Sequence, residues 1–295
     1  MNTKTILFVV NPISGRSDKK GLIEKTKTFI ALNGYEPVVY KTSGHEDQKE
    51  IKKLIRQYKP ERLVVAGGDG TVQMVASSLG NETPCLGILP SGSANGLAKN
   101  LHLPDGIDEQ LKVALGRSTI QIDSLKVDGK DCLHIADLGL NAQLIKNYET
   151  SNIRGKIGYL MQSVPTLFQT DYPFEFEVEA NGKNHHGEGI LLAIANARQF
   201  GTGATINPKG KLNDGKFEII LFKHLDPKEI LKTLTDQKEI NKEFAESMST
   251  TYARIKAKKP VPLQIDGEYI GQVNDFEVEV YPRKLTIAVP EGFEP

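Results

Sequence analysis

Arg62-Leu63-Val64-Val65-Ala66-Gly67-Gly68-Asp69-Gly70-Thr71-Val72-Gln73-Met74-Val75 is the stretch that decides how this chain folds. Arg62–Ala66 is dominated by an apolar run, as a parallel strand covered on both faces requires. A glycine-rich turn follows at once, and Val72 and Val75 then open a helix at helical spacing. Strand, glycine loop and helix form the repeating piece of a doubly wound sheet, where ligands bind beyond the carboxyl ends of the strands.

Working outward, the same piece recurs. Cys85–Leu89 is a buried strand followed by Pro90-Ser91-Gly92-Ser93-Ala94-Asn95-Gly96, and Thr5–Val10 is another, followed by Asn11-Pro12-Ile13-Ser14-Gly15-Arg16-Ser17. Leu22, Ile23, Thr26, Phe29 and Ile30 repeat as one helix face, ended by Asn33-Gly34. Glu36–Tyr40 reads as a strand, and Ile51, Leu54 and Ile55 mark a helix stopped near Pro60. Four such repeats predict a parallel sheet with right-handed crossovers.

Near Ile120 the texture changes to short alternating strands with hairpin signals at Asp128-Gly129, Asn181-Gly182, Asp214-Gly215 and Asp266-Gly267. Helical stretches are expected around residues 147–169 and 227–241. The fold class is therefore an N-terminal doubly wound α/β domain over residues 1–124 and a C-terminal β-sandwich over 125–295. The last strand has the freedom to return toward the first domain.

Of the 295 residues, 39% are apolar and 25% charged, which excludes a disordered or fibrous chain. Lysine plus arginine and aspartate plus glutamate number 37 each, so no net charge drives nucleic-acid binding. Cys85 and Cys132 sit in apolar runs that fit neither a disulfide framework nor a metal site, and read as buried thiols in a reducing cytoplasm. Residues 1–10 read as a strand rather than a signal peptide, and no run of eighteen apolar residues crosses a bilayer.

All three loops have the chemistry of phosphate binding. Glycine allows positive φ and close backbone approach, so that N–H groups can face phosphate oxygens, and the following helix adds the positive end of its dipole. Most glycine loops between strand and helix bind nothing, but three on one sheet edge are a stronger sign than one. Asp69 beside phosphates calls for a magnesium ion, or else caps the helix it opens; Thr71 is the other candidate cap.

These residues also resemble a known family. NPISGRS, VVAGGDGTVQMV and LGILPSGSANGLAKNL look like the nucleotide-site motifs of the diacylglycerol kinase catalytic-domain family, which includes soluble bacterial lipid kinases and the sphingosine and ceramide kinases. DLGLNAQLI, NARQFGTGATINPKGKLNDGKFEII and LQIDGEYI match further family signatures in order, so the resemblance covers nearly the whole chain. It implies a first domain like that of NAD kinase and phosphofructokinase, a β-sandwich second domain, and use of ATP with Mg2+. The implied nucleotide-binding positions are Asn11, Ser14, Gly15, Thr42, Gly67, Gly68, Asp69, Gly70, Thr71, Val72, Gln73, Gly92, Ser93 and Asn95. Thr42 enters only through a segment with Gly44 and His45 that matches a family pattern; by themselves these are ordinary helix-entry residues.

In the family, a DGE motif supplies the acid that takes the proton from the lipid hydroxyl, which implies catalytic roles for Asp266 or Glu268, beside Asp69. Two residues apart, the pair could share one face of an extended segment, and sequence leaves the base undecided. Lys211-Leu212-Asn213-Asp214-Gly215-Lys216 resembles the family's magnesium turn, with the Asp214 carboxylate and the carbonyls of Lys211 and Lys216 as metal ligands. An unmetallated hairpin is the plainer reading of the same turn. Asp123 is a weaker candidate for the same carboxylate network.

Gly96 stands where many bacterial relatives carry aspartate, and Gln143 where sphingosine kinases carry an acid, so the lipid stays open. The expected partner is a lipid substrate at the inner membrane surface, visited transiently from the cytoplasm. Arg154, Lys156, Tyr159, Leu160, Met161, Leu167 and Phe168 offer a mixed basic and apolar face for that contact, or for packing on the sandwich. An edge of the second sheet could pair with another copy as a homodimer. Phosphorylation of a soluble nucleotide or sugar, or nucleotide and lipid binding with weak catalysis, are the alternatives.

Overall fold

Each apolar run of the first half becomes a strand of one parallel sheet. The computed structural model describes residues 4–15, 19–80, 84–149, 173–199, 204–224, 226, 228–229, 232 and 241–295. Arg16 and Ser17, the candidate membrane face at 151–168 and most of the helix expected at 227–241 lie outside the described residues. The chain divides into two compact units, Met1–Ile122 with Arg283–Pro295, and Asp123–Pro282. The C-terminal segment Arg283–Pro295 groups with the first unit, the direction in which the sequence left the last strand free to return.

The first unit runs β1 (Thr5–Val10), α1 (Lys19–Leu32), β2 (Glu36–Lys41), α2 (Asp47–Tyr58), β3 (Arg62–Gly67), α3 (Asp69–Ser78), β4 (Cys85–Pro90), α4 (Gly96–Asn100) and α5 (Ile107–Leu115). Its strands pair in parallel in the order β4-β3-β1-β2, with Phe8 beside Val64 and Val39, and Ile287 beside Leu86. Successive side chains alternate across the sheet. Ile6, Phe8, Val10, Val64, Ala66 and Leu89 meet Ile23 and Ile30 of α1 and Leu111 and Ala114 of α5. α2 packs against β1 and α3 against β3, burying Ile51, Ile55, Val72 and Val75. Fully burying one such side chain contributes roughly 1.5–3 kcal/mol, so helices on both faces hold the strands flat together. α1 stops where Gly34 takes φ +83°, and the Asn33 Nδ2 donates to the Phe29 carbonyl at 2.8 Å.

From β5 (Thr119–Val127) the chain passes into the second unit, with β6 (Lys130–Cys132), β7 (Ile135–Gly139), α6 (Leu140–Glu149), β8 (Phe174–Ala180), β9 (Lys183–Gly189), β10 (Leu191–Ala195), β11 (Phe217–Phe222), β12 (Ala245–Thr250), β13 (Tyr252–Ile265) and β14 (Glu268–Ala288). Antiparallel pairing runs β12-β11-β10-β7-β13, and β13 also pairs β14 and β8. Inward residues of these strands, among them Leu138, Phe176, Leu192, Phe217, Ile255 and Leu263, build the core of a β-sandwich. The helix expected from residue 147 onward begins earlier, at Leu140.

Three of the four expected hairpin turns are hairpins. Asp128-Gly129, Asn181-Gly182 and Asp266-Gly267 each have positive φ at both residues, the geometry that matches strand twist, and join β5 to β6, β8 to β9 and β13 to β14. Asp214-Gly215 is different: it lies in the loop before β11, and its partner is Asp123, far away in sequence. Cys85 and Cys132 are free thiols, the second fully buried.

Candidate functional site

The three loops after β1, β3 and β4 close on one another at the carboxyl edge of the first unit's sheet. Asn11 Nδ2 donates to Thr71 Oγ1 at 3.2 Å, and Ser14 Oγ lies 3.2 Å from Ser91 Oγ. A Cβ on Gly15 would sit 2.3 Å from the Ser91 carbonyl oxygen, and one on Gly92 would sit 2.5 Å from Gly68 Cα. The glycines are therefore required largely by contact between loops. Gly15 does take φ +64°, but Gly67, Gly68 and Gly92 lie outside the left-handed region, which corrects the expectation that positive φ explains them. At Gly67 the close neighbour is the Thr71 side chain, 2.4 Å from an added Cβ.

Asp69 does not cap its own helix. Its carboxylate accepts the N–H groups of Gly96 at 2.8 Å and Leu97 at 3.1 Å, at the start of α4. The second loop is thereby tied to the third by charge-assisted bonds. Gly68 is the N-cap residue of α3, and no side chain caps that helix, nor does Thr71, whose hydroxyl meets Asn11. The cap residue Gly68 thus supplies no side-chain acceptor of its own at the positive dipole end of α3, an arrangement that suits a phosphate. Val72 is buried and its N–H bonds the Gly68 carbonyl at 3.1 Å, so it supports the loop by packing. Gln73 is half-buried on α3 and Gly70 lies in its first turn; Ser93 is exposed at the tip of the third loop. Asn95 takes φ +53° and folds its side chain onto Gly92, accepting that N–H at 2.8 Å.

Thr42 follows β2, with its N–H on the Val10 carbonyl at 2.9 Å. Asp47, which sequence reading passed over, organises the turn beyond it. It accepts the Tyr40 hydroxyl at 2.7 Å, the Ser43 N–H at 2.9 Å and the Gly44 N–H at 2.8 Å. Burial opposes its charge, but these bonds outweigh burial and hold its carboxyl below the usual carboxylate range. Burial and the adjoining Asp47 push the Tyr40 phenol up to about 12.

In the second unit the DGE turn separates its two acids. Asp266 is buried, and its carboxylate accepts the N–H groups of Leu133 at 2.8 Å, His134 at 2.9 Å and Ile135 at 3.2 Å, with Cys132 Sγ at 3.5 Å. Glu268 begins β14 and is exposed, so the two do not share a face. Asp266 is a clamp on the connection from β6 into β7; Glu268 is the acid with access to solvent.

At the candidate metal turn, the Asp214 Oδ1 accepts the Lys216 N–H at 3.1 Å, and buried Asp123 accepts the Gly215 N–H at 2.7 Å while donating its own N–H to the Leu212 carbonyl at 2.7 Å. The turn offers one carboxylate, Asp214, and the carbonyls of Lys211 and Lys216. That oxygen-only donor set fits a hard cation completed by water. Among the described residues no three His, Cys, Asp or Glu side chains group as metal ligands.

Asp137 is a further residue that sequence reading did not select, although a lone acid in the apolar run Ile135–Leu138 is itself a signal. It is fully buried on β7, and burial pushes its carboxyl up to about 7.

An α/β unit with three glycine loops on one sheet edge, followed by a β-sandwich with a buried acid clamp, is the architecture of a class of nucleotide-dependent phosphotransferase. The chain belongs to the diacylglycerol kinase catalytic-domain family of lipid kinases: residues 5–127 match the diacylglycerol kinase catalytic domain, and residues 135–289 match the YegS C-terminal NAD kinase beta sandwich-like domain. Among similar proteins, the lipid kinase YegS of Escherichia coli (strain K12) is 28% identical over 285 residues, 94% of each chain. The probable lipid kinase YegS-like protein of Citrobacter koseri is 29% identical over 265 residues, 87% of each. The fold is shared with a putative diacylglycerol kinase from Bacillus anthracis str. Sterne, with a TM-score of 0.79 at 20% identity over 99% of both chains. No helix among the described residues is long and apolar enough to cross a membrane.

Proposed function

We propose that this kinase transfers the γ-phosphate of ATP to a hydroxyl of diacylglycerol or a related long-chain lipid. The observation that carries the reading is the closure of three glycine loops around the uncapped start of α3, where Gly68 meets Gly92 and Asp69 ties in α4. Fixed N–H dipoles of this kind stabilise charge on a transferring phosphoryl group without reorganisation.

Glu268 is assigned as the base. Both Asp266 oxygens already accept backbone N–H groups, and a carboxylate has about four acceptor positions in all. Glu268 is the exposed acid of the motif and takes the hydroxyl proton as the lipid oxygen attacks the γ-phosphorus and the bond to ADP breaks. Asp214 with the Lys211 and Lys216 carbonyls would hold Mg2+, which when bound supplies positive charge beside acidic and phosphate groups. Asp69 positions the nucleotide loops through α4, and Thr42 does so through the turn that Asp47 organises.

Incubation with labelled ATP, magnesium and a total lipid extract tests the reading. The expected product is one labelled lipid. Label confined to water-soluble acceptors would overturn it in favour of a nucleotide or sugar kinase. ATP binding with no labelled product would favour a regulatory binding protein.

A further inference from the structure

The turn that carries Glu268 is held by two buried side chains that no step of phosphoryl transfer uses. Gln264 accepts the Gly267 N–H through Oε1 at 2.8 Å, and its Nε2 donates to Asp137 Oδ2 at 2.5 Å. Asn141 Nδ2 donates to the same oxygen at 2.6 Å, and the Ala142 backbone N–H also acts on the Asp137 carboxyl, whose Oδ1 makes no side-chain hydrogen bond among the described residues. Asp137 is 0% and Gln264 2% exposed, so water does not compete for these bonds.

An amide side chain has two ends of nearly equal shape and opposite hydrogen-bonding sense. Turned over, Gln264 would set its amino group against the Gly267 N–H, donor against donor. Asp137 disfavours that choice by accepting from the amino end, where the Ile135 carbonyl also accepts from Nε2 at 3.4 Å. The bond matters because Asp266 has φ +49° and Gly267 φ +90°, the left-handed pair of a tight hairpin turn, and it holds the Gly267 N–H of that turn in place. Glu268 is the next residue, so the turn sets where its side chain starts.

We propose that Asp137 is a positioning residue that sets the Gln264 amide and thereby fixes the Asp266-Gly267 turn and the placement of Glu268. The catalytic part of this rests on the assignment of Glu268 as the base. In the neutral acid, Oδ1 carries the proton and Oδ2 remains the carbonyl acceptor that both amides need. The charged or titratable side chains on the elements around it are His134 just before β7, Lys146 on α6, Asp266 and Glu268 at the turn, and Tyr252, Arg254, Lys256, Lys258 and Lys259 farther along β13; β10, directly beside it, carries none. Burial therefore dominates its proton affinity.

The test uses the full chain and two readouts: hydrogen exchange at the single Gly267 amide, and phosphorylation of diacylglycerol in detergent micelles. In D137L and Q264M the Gly267 amide should exchange about tenfold faster or more, and kcat should fall about tenfold with KM for ATP unchanged, as expected for loss of one buried bond. D137N keeps a carbonyl acceptor and should match wild type in both. Wild-type exchange at Gly267 in D137L overturns the proposal, as does fast exchange with an unchanged kcat, or a D137N that behaves like D137L. Should D137L not fold, Q264M decides on the same readouts. If wild type phosphorylates no lipid, the functional reading fails while exchange at Gly267 still decides whether Asp137 sets the turn.

Discussion

Gly68 and Gly92 touch backbone to backbone: a Cβ on Gly92 would lie 2.5 Å from the Gly68 Cα and 2.9 Å from Asn95 Oδ1. Neither loop can retreat, because Asp69 anchors the second loop to α4 while Asn95 folds the third onto Gly92. Nucleotide binding at these loops, as proposed, would depend on the packing of two glycines that need no unusual φ.

Gly92→Ala should accordingly cost about 1–3 kcal/mol through overpacking and weaken ATP binding at the same time. Thermal unfolding and ATP titration measure the two effects. A variant with wild-type stability and ATP affinity would show that the loops yield without consequence.

Asp69→Ala removes the acceptor of two α4 N–H groups and should lower stability by roughly 0.5–2 kcal/mol without any nucleotide present. Urea unfolding of the ligand-free protein reads this directly. A carboxylate acting only through magnesium would leave that curve unmoved and change the magnesium dependence of activity instead.

The acids of the DGE turn should separate in kind. Glu268→Gln is expected to lower kcat at least a hundredfold with unchanged unfolding, as loss of a general base does. Asp266→Ala should instead destabilise the protein by about 1–3 kcal/mol or more, since it leaves buried N–H groups of residues 133–135 unpaired. Kinetics and unfolding of both variants decide the assignment, and the reverse pattern would exchange the roles.

Asp137 makes stability depend on pH. Its folded-state proton affinity is raised, to about 7, above the ordinary value near 3.9 expected for the unfolded chain. Its stabilising contribution is therefore complete below the unfolded value and is lost as pH rises through the folded one. Denaturant unfolding of wild type should show this contribution falling between roughly pH 4 and pH 7, and Asp137→Asn should flatten that part of the curve. Identical slopes in the two proteins would refute the buried neutral acid.

Tyr40→Phe removes one donor to Asp47 and should cost about 1 kcal/mol while loosening the turn beyond Thr42. Asp47 has the opposite linkage: its lowered proton affinity stabilises the fold above the unfolded value, and that contribution is lost as pH falls through the folded one. Acid unfolding of wild type and Asp47→Asn compares the two.

The strands and loops of the first unit were legible because their signals are local. An apolar run such as Thr5–Val10 must be covered on both faces, and Arg62–Ala66 followed by Gly67 marks both the strand and the loop at its end. The Asp-Gly and Asn-Gly turns at 128, 181 and 266 declare themselves through positive φ, which few other residues tolerate. Asp214-Gly215 looked the same, but its role comes from Asp123, 92 residues earlier.

The order of motifs along the chain was enough by itself to determine the family, the sheet and the three glycine loops at its edge, since each depends on neighbours within a few residues. Only the tertiary structure decided which acid is a clamp and which is exposed. The N–H groups that occupy Asp266 lie 131–133 residues away, and the burial that raises the proton affinity of Asp137 is supplied by strands and a helix from across the second unit. A carboxyl group's role is set by what surrounds it, and spacing along the chain carries no record of that environment.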